Sequence, residues 1–300
     1  MTSAEEKLDR NLNIPFGISI GIAEILLTVG ISVLVKSISQ DLSIITILMF
    51  RYALCLPLLI LFAILQHGRT AFTISRYSIL AARTVTGLTS LTCFYAALDL
   101  MSLAKVTTLF QTLTLFITLL APILLGERVG WRRWTAVIIG FGGAMLVISP
   151  GGEGWSSTGI TLGLAAPFFG ALMLVMLRKL GRSDNPASTA IWYNGAGATL
   201  FTLLFIWRGD MLPLEHTKLI ILAAIGLLAS FQQFSIAFSH QLAPATLLAP
   251  LRYLSVPFGI AAGVMIYAES LTIEIVFGSA LIVLSSIFIL RRERERQNAA

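Results

Sequence analysis

Leu103-Ala104-Lys105-Val106-Thr107 opens an apolar run that closes on Leu125-Gly126-Glu127-Arg128, and the same figure returns as Leu242-Ala243-Pro244-Ala245-Thr246 closing on Tyr267-Ala268-Glu269-Ser270. The openings are separated by 246 − 107 = 139 positions and the glutamates by 269 − 127 = 142, so a small gap intervenes between two otherwise parallel copies. One further apolar segment follows each glutamate. A self-similarity of this length decides the reading of the chain, because it divides the sequence into two comparable units.

Working outward from that pair, ten apolar runs can be marked at about 14–36, 42–65, 76–99, 103–125, 131–149, 158–179, 187–207, 217–239, 244–266 and 271–290. Each has the roughly 20 residues that a helix needs to cross a bilayer. Composition agrees: 56% of the 300 residues are apolar and 12% are charged, where soluble domains carry about 25% charge. A soluble globular domain, a disordered chain and a coiled coil are excluded. Two cysteines, Cys55 and Cys93, lie in apolar runs and read as reduced packing thiols rather than a disulfide framework. The first run is no cleavable leader, since an acid-bearing segment precedes it and more spans follow. The expected fold is an all-α integral membrane protein of ten transmembrane helices in two inverted five-helix repeats (5+5). Its parts are a cytoplasmic segment 1–13, a first repeat 14–149, a second repeat 158–290 and a basic tail 291–300.

Orientation follows from lysine and arginine in the short loops. With the amino terminus cytoplasmic, the inner side holds Lys7, Arg10, Arg69, Arg76, Arg128, Arg132, Arg133, Arg178, Lys179, Arg182, Arg291, Arg292, Arg294 and Arg296. The outer side holds Lys36, Lys105, Arg208 and Lys218. Both termini are therefore expected inside. The basic tail is expected at anionic headgroups or in solvent. Five spans per copy is an odd number, so the second copy enters the membrane from the opposite face. Inverted repeats are a signature of transporters, with a site near the midplane between the halves.

The 5+5 plan, Phe50-Arg51-Tyr52 in the second run, Phe94-Tyr95-Ala96-Ala97-Leu98 closing the third and Pro122 followed by Gly126-Glu127-Arg128 closing the fourth resemble the drug/metabolite transporter superfamily, EamA family. The general pattern is most similar to the YddG-type amino-acid exporters of Gram-negative inner membranes. The resemblance covers essentially the whole chain. The second copy departs from it, with Ala268-Glu269-Ser270 in place of Gly-Glu-Arg and Trp192-Tyr193 in the region comparable to Arg51-Tyr52. What the resemblance implies is a multi-pass protein of the bacterial inner membrane that exports small metabolites.

Candidate lining residues follow from helical spacing. Thr107, Gln111, Thr114 and Thr118 form one stripe of the fourth run, and the offset of 139 maps them onto Thr246, Pro250, Tyr253 and Pro257. Hydroxyl and small residues also serve close helix packing. The amides of Gln111, Gln232 and Gln233 ask for partners that hydrocarbon cannot supply. Four ionisable residues lie at membrane depth: Glu24, Arg51, Arg83 and Arg252. Each costs several kcal/mol unless paired or hydrated. Glu24 and Arg51 sit at similar depth in adjacent runs and are expected either to form an ion pair or, with Glu24 titrating, to couple transport to protons. Arg83 is expected to snorkel to the interface. Arg252 suits a substrate carboxylate because a guanidinium fork matches a planar anion, with Tyr95 and Tyr253 as aromatic walls.

Enzyme readings find no footing. No metal-spaced Cys/His cluster, HExxH motif or P-loop is present, and His67, His216 and His240 stand isolated. No cofactor, metal or nucleic-acid partner is expected. The expected partners are the bilayer and a small solute, amino acids including aromatic ones. Efflux of cationic or aromatic drugs and a channel-like facilitator are the alternatives.

Overall fold

The computed structural model describes residues 13–68, 72–126, 129–149, 156–180, 186–213 and 215–299. Among these, twelve α-helices follow one another: α1 Ile14–Ile38, α2 Ile44–His67, α3 Tyr77–Leu100, α4 Leu103–Phe110, α5 Leu113–Leu125, α6 Trp131–Ile148, α7 Ser157–Leu180, α8 Pro186–Arg208, α9 His216–Leu242, α10 Ala245–Leu251, α11 Ser255–Tyr267 and α12 Ile273–Ala299. Local chemistry sets several starts. Asn13 caps α1 by accepting from the Phe16 N–H at 3.3 Å with Pro15 in the first turn, Ser43 caps α2, and Ser102 caps α4. Within the helices, hydroxyls donate to carbonyls one turn back, as Thr86 does to Ala82 and Thr92 to Leu88. Polar side chains thereby satisfy themselves without water.

Eight helical runs are long and apolar enough to cross a membrane, counting Leu103–Leu125 and Leu247–Tyr267 as runs. Two further helices are more polar: α3 carries Arg83 among threonines, and α6 opens with Arg132-Arg133. The outer surface is apolar, with Leu65, Ile123, Trp207 and Met265 largely exposed, which suits a hydrocarbon surround rather than water. Helix bounds lie within a few residues of the sequence expectation, with two exceptions. The fourth and ninth runs are each broken in the middle, and α12 continues through the basic stretch to Ala299 instead of ending near 290. Glu127, Arg128, Arg69, Arg182 and the first twelve residues lie outside the described residues.

Packing follows the repeat. α1 lies along α9 and α7 lies along α3, while α2 packs on α8 and α6 on α12. Exchanging the two copies carries each of these pairs into another pair of the set or into itself. Single residues show the same relation. Thr114 Oγ1 lies 3.0 Å from the Tyr253 hydroxyl, and 253 − 114 = 139. The Tyr52 hydroxyl lies 2.9 Å from that of Tyr193, and 193 − 52 = 141. Gly140 packs against Ser285 and Gly143 against Ile282, where 282 − 140 and 285 − 143 both equal 142. Residues that touch their own counterparts are what a two-fold axis produces, so the axis runs past Thr114–Tyr253, Tyr52–Tyr193 and the α6–α12 seam. At that seam a Cβ on Gly143 would stand 2.7 Å from the Gly278 carbonyl oxygen, so glycine is required for the helices to approach this closely.

Candidate functional site

The site is built on the two broken runs. In the first, α4 ends at Phe110, Gln111 and Thr112 leave the helical ladder, and α5 restarts at Leu113. Thr112 Oγ1 donates to the Leu109 carbonyl at 2.7 Å and Thr118 Oγ1 to that of Thr114 at 3.0 Å. In the second, α10 gives way to a 3-10 turn at Arg252–Leu254 before α11. Pro250 and Pro257 lack the N–H groups that would bond the carbonyls four residues back. The runs cross closely: a Cβ on Gly259 would overlap the Thr107 side chain. Gln111 Nε2 donates to Ser255 Oγ at 2.6 Å, and Ser255 Oγ donates to the Arg252 carbonyl at 2.8 Å. Side chains thus take up backbone groups that the break leaves open.

Arg252 is exposed and is the sixth residue of the membrane-length run Leu247–Tyr267. A guanidinium held in lipid costs several kcal/mol, a cost that water or a reach to the nearer interface removes. Glu24 on α1 and His240 on α9 lie within electrostatic reach of Arg252. Thr28 Oγ1 lies 3.2 Å from Glu24 Oε1 and accepts from Gln232 Nε2 at 2.6 Å. Glu24, Thr28 and Gln232 therefore join α1 and α9 in one polar cluster, with Arg252 of the second break within electrostatic reach. Gln111 and Ser255 border it, and Gln233 is half-buried beside Gln232 on α9.

The expected Glu24–Arg51 ion pair does not form. Arg51 is 5% exposed and packs over the Tyr52 ring at 4.8 Å. Tyr95, Tyr193 and Cys55 complete the surround of its guanidinium. Its Nε and Nη1 have no hydrogen-bond partner among the described residues, an omission worth roughly 1–3 kcal/mol for each buried donor. The two stand 14 and 7 residues from the connected ends of α1 and α2 (38 − 24 and 51 − 44), and their side chains leave in different directions, Glu24 toward α9 and Arg51 toward α3 and α8. Arg83 does not snorkel freely either: it lies over the Tyr193 ring at 5.0 Å and donates to the Thr189 carbonyl at 3.2 Å. Tyr95, expected as a wall beside Arg252, belongs to the Arg51 cage, and Tyr253 is buried against Thr114.

One end of the molecule is sealed by a cluster that the candidate set missed. Ala268 adopts a left-handed conformation (φ 51°) that turns the chain after α11. The Glu269 carboxylate then accepts from the Leu103 N–H at 2.6 Å and the Ala104 N–H at 3.1 Å, at the positive end of α4. Lys36 lies 3.8 Å from Glu269 and donates to the Met101 carbonyl at 2.7 Å and the Leu98 carbonyl at 3.2 Å, at the negative end of α3. The Tyr267 hydroxyl donates to the Val33 carbonyl at 2.6 Å. A polar cleft of about 580 Å³, lined among others by Lys36, Asp99, Lys105, Glu269 and Glu274, lies at this end. The sequence signal is the repeated glutamate, which marks the symmetry and at Glu269 also caps α4.

Among the described residues, no group of His, Cys, Asp and Glu is placed to hold a metal ion. Comparison with known proteins places these features in a wider set. The model of the EamA-like transporter family matches the chain twice, over residues 15–149 and again over 157–291. A riboflavin transporter of Vibrio cholerae is 30% identical over 188 residues, 63% of this chain and 62% of that protein. The chain thus matches somewhat less than two thirds of the riboflavin transporters' length. A pseudopaline exporter of Pseudomonas aeruginosa is 26% identical and spans 87% of this chain and 91% of the other. An S-adenosylmethionine uptake transporter of Rickettsia prowazekii is 23% identical over 79% of each. A solved crystal structure superposes with a TM-score of 0.67 at 17% identity, covering 93% of this chain and 98% of that one, and shares the fold. These relatives do not single out amino-acid exporters.

Proposed function

The chain belongs to the EamA-like transporter family, and from that premise we propose that it is a ten-span secondary transporter of the bacterial inner membrane, with both termini cytoplasmic and its two five-helix repeats inverted. It exports small zwitterionic metabolites, amino acids first among them, by exposing a central cleft to each side in turn. The observation that carries this reading is that Glu24 and Arg252 lie within electrostatic reach of each other beside the broken helices. Arg252 offers a fork for a carboxylate and Glu24 an acceptor for an ammonium group, while Gln111, Gln232, Thr28 and Ser255 supply neutral contacts. Discontinuous helices at mid-membrane are where such sites are built, because their open backbone groups need a polar neighbour. The seal at Glu269 supports a state closed on that side, and the fourteen-to-four distribution of lysine and arginine supports assigning that side to the exterior.

The test is counterflow into liposomes containing the purified protein, across a panel of amino acids and aromatic cations, with and without a pH gradient. Exchange of amino acids, reduced in Arg252→Ala and partly restored in Arg252→Lys, supports the reading. Exchange of aromatic cations alone, dependent on Glu24 and indifferent to Arg252, replaces it with drug efflux. Glu24→Gln is expected to abolish any dependence on the pH gradient while leaving downhill exchange intact. Wild-type transport indifferent to the gradient removes proton coupling.

A further inference from the structure

Arg51 and its neighbours lie apart from Glu24 and Arg252, and their hydrogen-bond inventory is unbalanced. A guanidinium brings five N–H donors and no acceptor, and each tyrosine adds one O–H. In the Tyr52–Tyr193 pair only one hydroxyl hydrogen is used between the rings, at 2.9 Å, which leaves the other to find an acceptor elsewhere. The Tyr95 hydroxyl lies beside the guanidinium and brings an O–H of its own. Nε and Nη1 of Arg51 are buried without a partner, and Nε of Arg83, on the other side of Tyr193, is likewise unpartnered among the described residues. No carboxylate pairs with either arginine among the described residues. Aromatic faces relieve part of a cation's desolvation, but they accept no N–H in the plane of the guanidinium. The surroundings are rich in donors, positively charged and short of acceptors, which is the chemistry that holds an anion.

We propose that Arg51, with the hydroxyls of Tyr52, Tyr95 and Tyr193, forms a second binding site that takes a small singly charged anion, a carboxylate or a halide. The anion supplies the missing acceptors and the missing negative charge in one step. Arg51 lies seven residues into α2 and Tyr95 five residues before the end of α3, the helix end to which Lys36 and Glu269 are tied. The site therefore stands beneath the seal and opens when the seal does. The second copy has Trp192 at the place of Arg51, with its indole N–H given to the Phe72 carbonyl at 3.1 Å, so the site exists once per chain and not twice.

The unfolding temperature of detergent-purified protein is measured as chloride or acetate replaces gluconate at constant ionic strength. A saturable rise is expected for at least one of the two anions, absent in Arg51→Gln and with its midpoint raised roughly tenfold in Tyr95→Phe, which loses one charge-assisted hydrogen bond. A response to acetate over chloride assigns the site to the carboxylate of a transported solute, and the reverse to a resident halide. Since Arg51→Gln can fail to fold, crystals of the unaltered protein grown in bromide give an independent reading: an anomalous peak in contact with the Arg51 guanidinium. No saturable anion response and no bromide at Arg51 overturns the proposal, as does a response that Arg51→Gln and Tyr95→Phe leave unchanged. Neither result bears on Arg252, so this site and the transport reading fail separately.

Discussion

The first broken run, α4–α5, and the second, α10–α11, reach one shape by different chemistry. In the second, Pro250 and Pro257 withhold N–H groups. In the first, the positions 139 residues earlier are Gln111 and Thr118, and there Thr118 bonds back to the Thr114 carbonyl while Gln111 reaches across to Ser255. A hydroxyl that competes for a carbonyl bends a helix as a missing N–H does, though less strongly. The chain reversal after each run repeats the lesson: Gly126 (φ 68°) does in the first copy what Ala268 (φ 51°) does in the second. The interruption is what the two copies share, and the residue that makes it is interchangeable. Charge is not interchangeable. Arg252 falls at the place of Leu113, since 252 − 139 = 113, so only the second break carries a guanidinium.

The largest effect is expected from erasing that one difference. Arg252→Leu makes the two breaks alike and should weaken binding of carboxylate-bearing solutes by about ten- to a hundred-fold, read by equilibrium binding to correctly inserted protein. Unchanged affinity leaves Arg252 a packing residue. Next comes the seal. Glu269→Ala removes the carboxylate from two N–H groups and should shift the balance toward an open end by roughly tenfold or more. The buried thiol of Cys55, beside Arg51, reports it in a Cys93→Ser background as faster labelling by an impermeant maleimide. Unaltered labelling separates Cys55 from the path that the seal guards. A few-fold effect is expected from exchanging the two devices: Pro257→Thr should keep more transport than Pro257→Ala, because threonine can bond back as Thr118 does. Equal loss in both breaks the equivalence. The smallest effect is at Ala268→Gly, which removes the left-handed strain of alanine and should change stability by about 1 kcal/mol or less, read from the unfolding temperature with transport unaltered.

Most of the architecture was legible because membrane length and a 139- to 142-residue echo are patterns of spacing, which a sequence states directly. The breaks were less so. Helical spacing makes Thr118 and Gln111 part of a lining stripe, while Thr118 donates to the Thr114 carbonyl and Gln111 to Ser255, partners that spacing does not reveal. The offset of 139 makes Thr114 and Tyr253 counterparts, and those two meet on the axis. Contacts between helices were the hardest to read, since depth along a helix is visible in sequence and azimuth relative to a distant helix is not. Glu24 and Arg51 stand 14 and 7 residues from the connected ends of their helices (38 − 24 and 51 − 44) and part company, while Glu24 and Arg252, 228 residues apart (252 − 24), lie within electrostatic reach. Lys36 and Glu269 stayed unread for the same reason.

The central claim is that the end closed by Glu269, Lys36 and Tyr267 opens during the cycle. Spin labels at Ser37→Cys on α1 and Thr272→Cys beyond α11, in a background free of Cys55 and Cys93, measure the distance across that end by pulsed electron resonance. The account predicts one short distance in the solute-free protein, and a second, longer population when saturating solute is added or when Glu269→Ala is introduced. A single distribution, identical in all three conditions, would contradict it.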